Sequence, residues 1–345
     1  MSLRQIATTL GLSVTTVSRA LADYSDVADE TRRRVRAEAE RIGYVPNVIA
    51  RRLQKGRLDA IGVAAPSGPG AMEDSYLYSS FVGAWSRLAE LGQDLVLLPM
   101  GDDARGTVPA SKAGQAFARA VEERRVDGVI LVRVVHDDPR FAGLRRAGLP
   151  FVVLGAEMTD RPELPSIGID NALAAQQICE RLQGFGHHEI TCVLPTGGYT
   201  FADARARHLA AETRRRGMGF VEVLDYMAED GGRLATERLL AERDGKPPSA
   251  IVYLSNRMAV GGMTSLAAAG LTAGRDVSVI AFGDSASLRF GKPAVTAVQA
   301  PTFDMARHAV DVLIGLRDRQ PIEPIRQWKT TLVARESDGP PARRD

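Results

Sequence analysis

The chain has 345 residues, 45% of them hydrophobic and 25% charged, with a formal net charge of +2. That composition supports a substantial core, and the length beyond the first 57 residues is enough for two ordinary domains or subdomains. No apolar run reaches membrane-spanning length, and the chain starts with a polar helix rather than a signal sequence. The two cysteines, Cys179 and Cys192, build neither a disulfide framework nor a thiolate metal site, so a cytoplasmic protein is expected.

Residues 3–21, LRQIATTLGLSVTTVSRAL, read as two short helices joined by a glycine-led turn. Ile6, Ala7 and Leu10 share one face at helical spacing, and Gly11 stands where the chain turns. Ser13 is placed to cap a second helix whose apolar positions are Val14, Val17 and Leu21. Thr15, Thr16, Ser18 and Arg19 then occupy the open face, with hydroxyls and a guanidinium suited to base edges and phosphates. A plain helical hairpin with a solvated face has the same pattern, so the motif alone does not decide. A third helix is expected from about Asp29 to Gly43, with Val35, Ala39 and Ile42 inward and Asp29 and Glu30 at its N-terminus. Ala28 offers it no capping side chain.

Next comes GYVPNVIARRLQKGR (43–57), framed by Pro46 and Gly56, with Asn47 as a cap. About eight helical residues are too few for a stable isolated helix in water. A hinge helix here is expected to fold only against a partner copy and DNA. Arg51, Arg52, Lys55 and Arg57 surround the apolar Leu53, a combination suited to wedging into a minor groove. Residues 1–57 carry a net charge of +5 and the remainder −3, a basic head on a slightly acidic body.

The body alternates short apolar runs with amphipathic stretches. Strands are expected at 60–66, 94–99, 126–132, 150–155, 190–195, 220–224, 250–255 and 277–282. Helices are expected at 77–92, 111–125, 171–186, 203–217 and 257–270. This rhythm predicts parallel sheets covered on both faces, with a ligand cleft at the carboxyl ends of the strands.

Taken together, TTVSRAL, ETRRRV, GYVPN and ARRL resemble the DNA-binding head of the lactose-repressor (LacI/GalR) family of bacterial transcription regulators. IGIDNALAA (167–175), LSNRMAVGGMTSLAAAGL (254–271), DVSVIAFGDS (276–285) and QAPTFDMARHAVDVLIGL (299–316) extend the likeness to about Arg335. The resemblance implies a helix-turn-helix domain over 1–45, a hinge over 46–57 and a periplasmic-binding-protein-like body over 58–335. Its first lobe is placed at about 58–168 and 299–322, its second at about 169–298 and 323–335, with a polar tail over 336–345. It also implies that Val14, Thr15 and Arg19 read bases, that Asn47 and Ala50 join the DNA contacts, and that Leu53 pries open the central base step.

For the effector pocket the resemblance implies Tyr76, Asp170, Arg205, Ser255, Asn256 and Asp284. Asp170 reads equally as the cap of the helix starting at Asn171, and Arg205 could be a surface residue of its helix. Two departures stand out: Gly283 where relatives carry an aspartate, and His208 where they carry glycine. Losing that aspartate removes a bidentate acceptor, which puts the common mode of sugar binding in question.

No catalytic or cofactor pattern competes. The GKP stretches lack the residues of a phosphate loop, no GxSxG elbow exists, and His187–His188 lacks metal-ligand spacing. The expected protein is therefore not an enzyme and needs no cofactor or metal. It is a homodimeric repressor of double-stranded operator DNA, controlled by a small molecule, with a sugar as first choice because the chain resembles regulators of sugar uptake. A purine-like corepressor is the second choice. The alternative class is a cytoplasmic solute-binding or enzymatic module without DNA function. ESDGPPARRD carries no leucine heptads, so a dimer rather than a tetramer is expected.

Overall fold

The computed structural model describes residues 2–44, 56–67, 73–100, 112–158, 160–321 and 326–342. The chain divides into two compact units, Met1–Asp59 and Ala60–Asp345.

In the first unit, α1 (Leu3–Leu10) starts where Ser2 accepts a bond from the Gln5 amide and stops at Gly11, whose φ of 63° costs glycine nothing. Helix α2 (Val14–Leu21) is capped by Ser13, whose Oγ accepts from the Thr16 amide at 3.0 Å. Helix α3 (Asp29–Arg41) ends two residues before the expected Gly43, and its N-cap Ala28 makes no side-chain bond. Ile6, Ala7, Val17, Ala20, Val35 and Ala39 bury together in one small core. The hinge positions Asn47, Ala50 and Leu53 lie outside the described residues.

The second unit holds two six-stranded sheets. Its elements are β1 (Ala60–Pro66), α4 (Ser75–Glu90), β2 (Asp94–Met100), α5 (Lys112–Glu122), β3 (Val129–Val132), α6 (Pro139–Ala147), β4 (Phe151–Leu154) and β5 (Ser166–Ile169). The chain then crosses into α7 (Asn171–Gly184), β6 (Glu189–Pro195), α8 (Thr200–Arg215), β7 (Gly219–Asp225), α9 (Glu229–Ala241), β8 (Ala250–Tyr253) and α10 (Asn256–Ala268). After β9 (Ser278–Phe282), α11 (Ala286–Phe290) and β10 (Thr296–Gln299), it returns through α12 (Thr302–Arg317) to β11 (Arg326–Trp328) and β12 (Thr331–Val333).

The strand orders are β11-β5-β4-β3-β1-β2 and β12-β10-β9-β8-β6-β7, so the two lobes repeat one topology. All pairings are parallel except β10 with β12. Central strands such as VILV in β3 and FVVL in β4 are buried throughout, as a sheet covered on both faces requires. Close helix pairing depends on glycine: a Cβ on Gly261 would sit 1.7 Å from the Glu229 carbonyl oxygen, and one on Gly232 1.9 Å from that of Met258.

Two sequence expectations need correction. β11 pairs with β5, so Arg326–Trp328 belongs to the first sheet and the last crossing falls between Trp328 and Thr331. Three-residue strands are too short to show a pattern. Within the stretch from residue 336, the described residues 336–342 are not a free polar tail. Ser337 and Asp338 are buried: Ser337 Oγ donates to the Val279 carbonyl at 2.6 Å, and Asp338 accepts from Arg181 and Thr296. His187 completes this seam through Ser278 Oγ at 3.0 Å and the Gly339 carbonyl at 2.9 Å, and burial pushes its imidazole below the ordinary value. Cys179 and Cys192 are both free and buried.

Candidate functional site

The surface of α2 opposite the head's core carries the side chains expected to meet DNA. Val14 and Thr15 are exposed, while Thr16, Ser18 and Arg19 are half-buried. Thr16 Oγ1 lies 2.8 Å from Ser13 Oγ, so the cap also fixes that hydroxyl. Arg19 lies over the Tyr24 ring at 4.8 Å and pairs with Asp26 at 2.5 Å. An exposed pair of this kind contributes at most about 1 kcal/mol, so Arg19 is parked rather than locked.

In the body, the loops at the carboxyl ends of both sheets converge on one cavity of about 60 Å³. The first lobe supplies Asp74, Tyr76, Arg133 and Gly155. The second supplies Phe201, Arg205, Met227, Ser255, Asn256 and Gly283. This is the position the doubly wound topology favours for ligands. A neighbouring cavity of about 260 Å³ shares Tyr76, Arg205, Phe282 and Gly283 and reaches Asp284.

Asp74 caps α4, its Oδ1 accepting from the Tyr76 amide at 2.9 Å, and its Oδ2 accepts from Arg133. Arg133 follows β3 with φ 49°, a left-handed conformation uncommon for residues other than glycine. Both members of this ion pair are buried. On the facing wall, the Arg205 guanidinium lies between the Phe201 and Phe282 rings at 4.8 and 4.7 Å and donates to the Leu254 carbonyl at 2.8 Å. Burial lowers its pKa to about 10, which still leaves it charged at neutral pH. Arg205 Nε has no hydrogen-bond partner, and burial pushes the Tyr76 hydroxyl up.

Of the six pocket residues expected from sequence, Tyr76, Arg205, Ser255 and Asn256 line this cavity. Asp170 does not: its Oδ1 caps α7 through the Leu173 amide at 2.8 Å. Asp284 lies in the adjoining cavity and is held by Arg335 at 2.7 Å and Arg289 at 2.8 Å. Burial alone would raise its carboxyl, but those two guanidinium groups hold it below the ordinary range. Asp74 and Arg133 were missed, because nothing local in the sequence joins a cap to a residue 59 positions away.

Bonds across the cleft hold the lobes together. Asn256 Nδ2 donates to Ser75 Oγ at 2.7 Å, and Ser75 Oγ donates to the Asp284 carbonyl at 2.8 Å. His136 Nε2 meets Asp203 Oδ2 at 2.7 Å. Glu157 of the first lobe accepts from Asn171 at 2.8 Å and Arg207 at 3.0 Å, and lies 3.1 Å from His208 Nε2. Burial would raise the Glu157 carboxyl, yet its bonds to Asn171 and His208 hold it below the ordinary range. His208, the departure noted in the sequence, is thus part of a cross-lobe clasp.

Fold and site together define a helix-turn-helix head joined in one chain to a two-lobed, ligand-binding type of body. Residues 2–47 match the model for bacterial regulatory proteins of the lacI family, and residues 179–337 match that for the periplasmic binding protein-like domain. The HTH-type transcriptional regulator RafR of Escherichia coli is 37% identical over 245 residues, covering 66% of this chain and 69% of RafR. AglR of Rhizobium meliloti is 29% identical over 99% of this chain and 95% of its own. The lac repressor dimer bound to operator and the anti-inducer ONPF superposes with a TM-score of 0.82 at 23% identity, over 98% of each chain. The chain belongs to the LacI family and is a transcriptional regulator. Among the described residues, no helix is long and apolar enough to cross a membrane, and no His, Cys, Asp and Glu cluster could hold a metal.

Proposed function

We propose that the protein is a repressor that binds a near-palindromic operator as a homodimer and is controlled by a small carbohydrate held between the lobes. The observation that carries this reading is the convergence of both sheets' carboxyl ends on one cavity, in a chain that also carries an α2 with an exposed polar face. The cavity has room for a few waters, whereas small-molecule sites run to roughly 300–1,000 Å³. With the adjoining cavity of about 260 Å³ it forms a site walled by both lobes, and a ligand that touches both walls couples occupancy to the angle between them. The hinge over 46–57, and Asn47, Ala50 and Leu53 within it, would transmit that angle to the heads. A structure of CelR carries cellobiose, and that of the lac repressor the anti-inducer ONPF, which favours a sugar for this chain over a purine.

An apolar face on the first lobe supports the homodimer. Tyr78 and Trp85 lie two turns apart on α4 and are 61% and 62% exposed. Leu97, on the edge strand β2, shares a side of the sheet with Leu95, which packs into the core beneath α4. Large aromatics left bare on one face call for a partner surface, and a second copy supplies it while placing two equal heads on two equal half-sites.

Selection by the full-length protein from a random duplex pool tests the reading. The expected product is an inverted repeat with two half-sites. Enrichment of single, unpaired sites, or of no sequence, would count against it.

A further inference from the structure

Resting on the proposed ligand site, the balance of donors and acceptors on its walls says which chemical class fits. Among the described residues, every carboxylate there is already engaged. Asp74 gives one oxygen to the Tyr76 and Leu77 amides and the other to Arg133. Asp284, in the adjoining cavity, is held by Arg335 and Arg289. Asn256 Oδ1 accepts from the Arg257 amide at 2.9 Å, which leaves it one lone pair. Gly155 and Gly283, at the ends of β4 and β9, offer no side chain. A Cβ on Gly283 would meet nothing nearer than Asn256 at 3.6 Å, so the space an acceptor could fill is bare.

The donors are in surplus. Arg133 and Arg205 face one cavity from opposite lobes, with Asp74 the single carboxylate among the described residues that line it, and Arg205 Nε stands without a partner. The adjoining cavity adds Arg289 and Asp284, which leaves the excess of positive charge unchanged. A neutral polyol presents each hydroxyl as donor and acceptor and needs both kinds of partner. An oxyanion accepts only, and gains most from a guanidinium in a site shielded from water.

We infer that the effector carries an oxyanion group, a carboxylate or a phosphate, which seats on Arg205 between the two lobes. Its hydroxyl-bearing part lies against Phe201 and Met227, the apolar side of the same cavity. Because the group neutralises a buried charge, its removal from the ligand costs most of the affinity.

The test uses the full-length protein at fixed ionic strength, with thermal shift and calorimetry on matched ligands. These are glucose, glucuronate and glucose 6-phosphate; galactose, galacturonate and galactose 1-phosphate; and the neutral sugars cellobiose and raffinose. At least one acidic ligand should bind tenfold or more tightly than its neutral parent, and whether it is the uronate or the phosphate identifies the oxyanion. Arg205→Gln should lose that preference tenfold or more, while Arg205→Lys keeps part of it; the unliganded melting temperature of each variant reports its folding. A neutral sugar binding as tightly as the acids, acids binding no better than their parents or not at all, or a preference that survives in folded Arg205→Gln overturns the inference. Duplex binding by the same preparation reports separately on the regulator reading, which a neutral-sugar effector would leave intact.

Discussion

Arg19→Ala should weaken binding to the selected operator by about 1–3 kcal/mol per half-site, roughly 5- to 150-fold for each. The loss should concentrate at one base pair. In the free head the guanidinium rests on Tyr24 and Asp26, and an exposed ion pair worth at most about 1 kcal/mol is easily exchanged for a bidentate contact to guanine. Asp26→Asn is the matching control: it frees Arg19 without removing it, and should leave the base preference in place. Fluorescence anisotropy on the operator and on variants at each position measures both. A uniform loss across all sequences would instead assign Arg19 to phosphate.

Trp85→Asp should convert the proposed homodimer into monomers in sedimentation at micromolar concentration and lower operator affinity by 100-fold or more. The second effect follows from the first, since two linked heads gain about 10²–10⁴ over one through effective concentration. Trp85 is exposed on α4, so the folded protomer tolerates the change; the cost falls on an interface where an aspartate has no partner. Unchanged sedimentation would move the dimer face away from Tyr78, Trp85 and Leu97.

The head was legible because its signals are local. Ser13 and Gly11 cap and turn within four residues of what they control, and Ile6, Val17 and Val35 keep helical spacing. The body was legible wherever a strand was long and buried on both faces; β1 and β6 fall within a residue of expectation. β11 and the docked stretch around Asp338 were not, because three residues carry no period and a buried polar segment looks like an exposed one until its partners appear.

In the cavity, Arg205 stood out by resemblance, but Asp74 and Arg133 are joined only by the fold. Asp170 illustrates the opposite problem. An aspartate before a helix has the same composition whether it caps or binds, and here it caps. Gly283 was visible as a departure by resemblance, yet its setting needed the surrounding side chains: Asp74 and Asp284 beside it are both engaged by arginines.

Affinity for the selected duplex as a function of salt tests most directly whether two basic heads, acting together, grip the phosphate backbone. With six to ten phosphates neutralised, the association constant should fall about 10³- to 10⁵-fold between 50 and 200 mM salt, along a straight line on logarithmic axes. A slope near zero, or no binding to duplex DNA at 50 mM, would contradict the account.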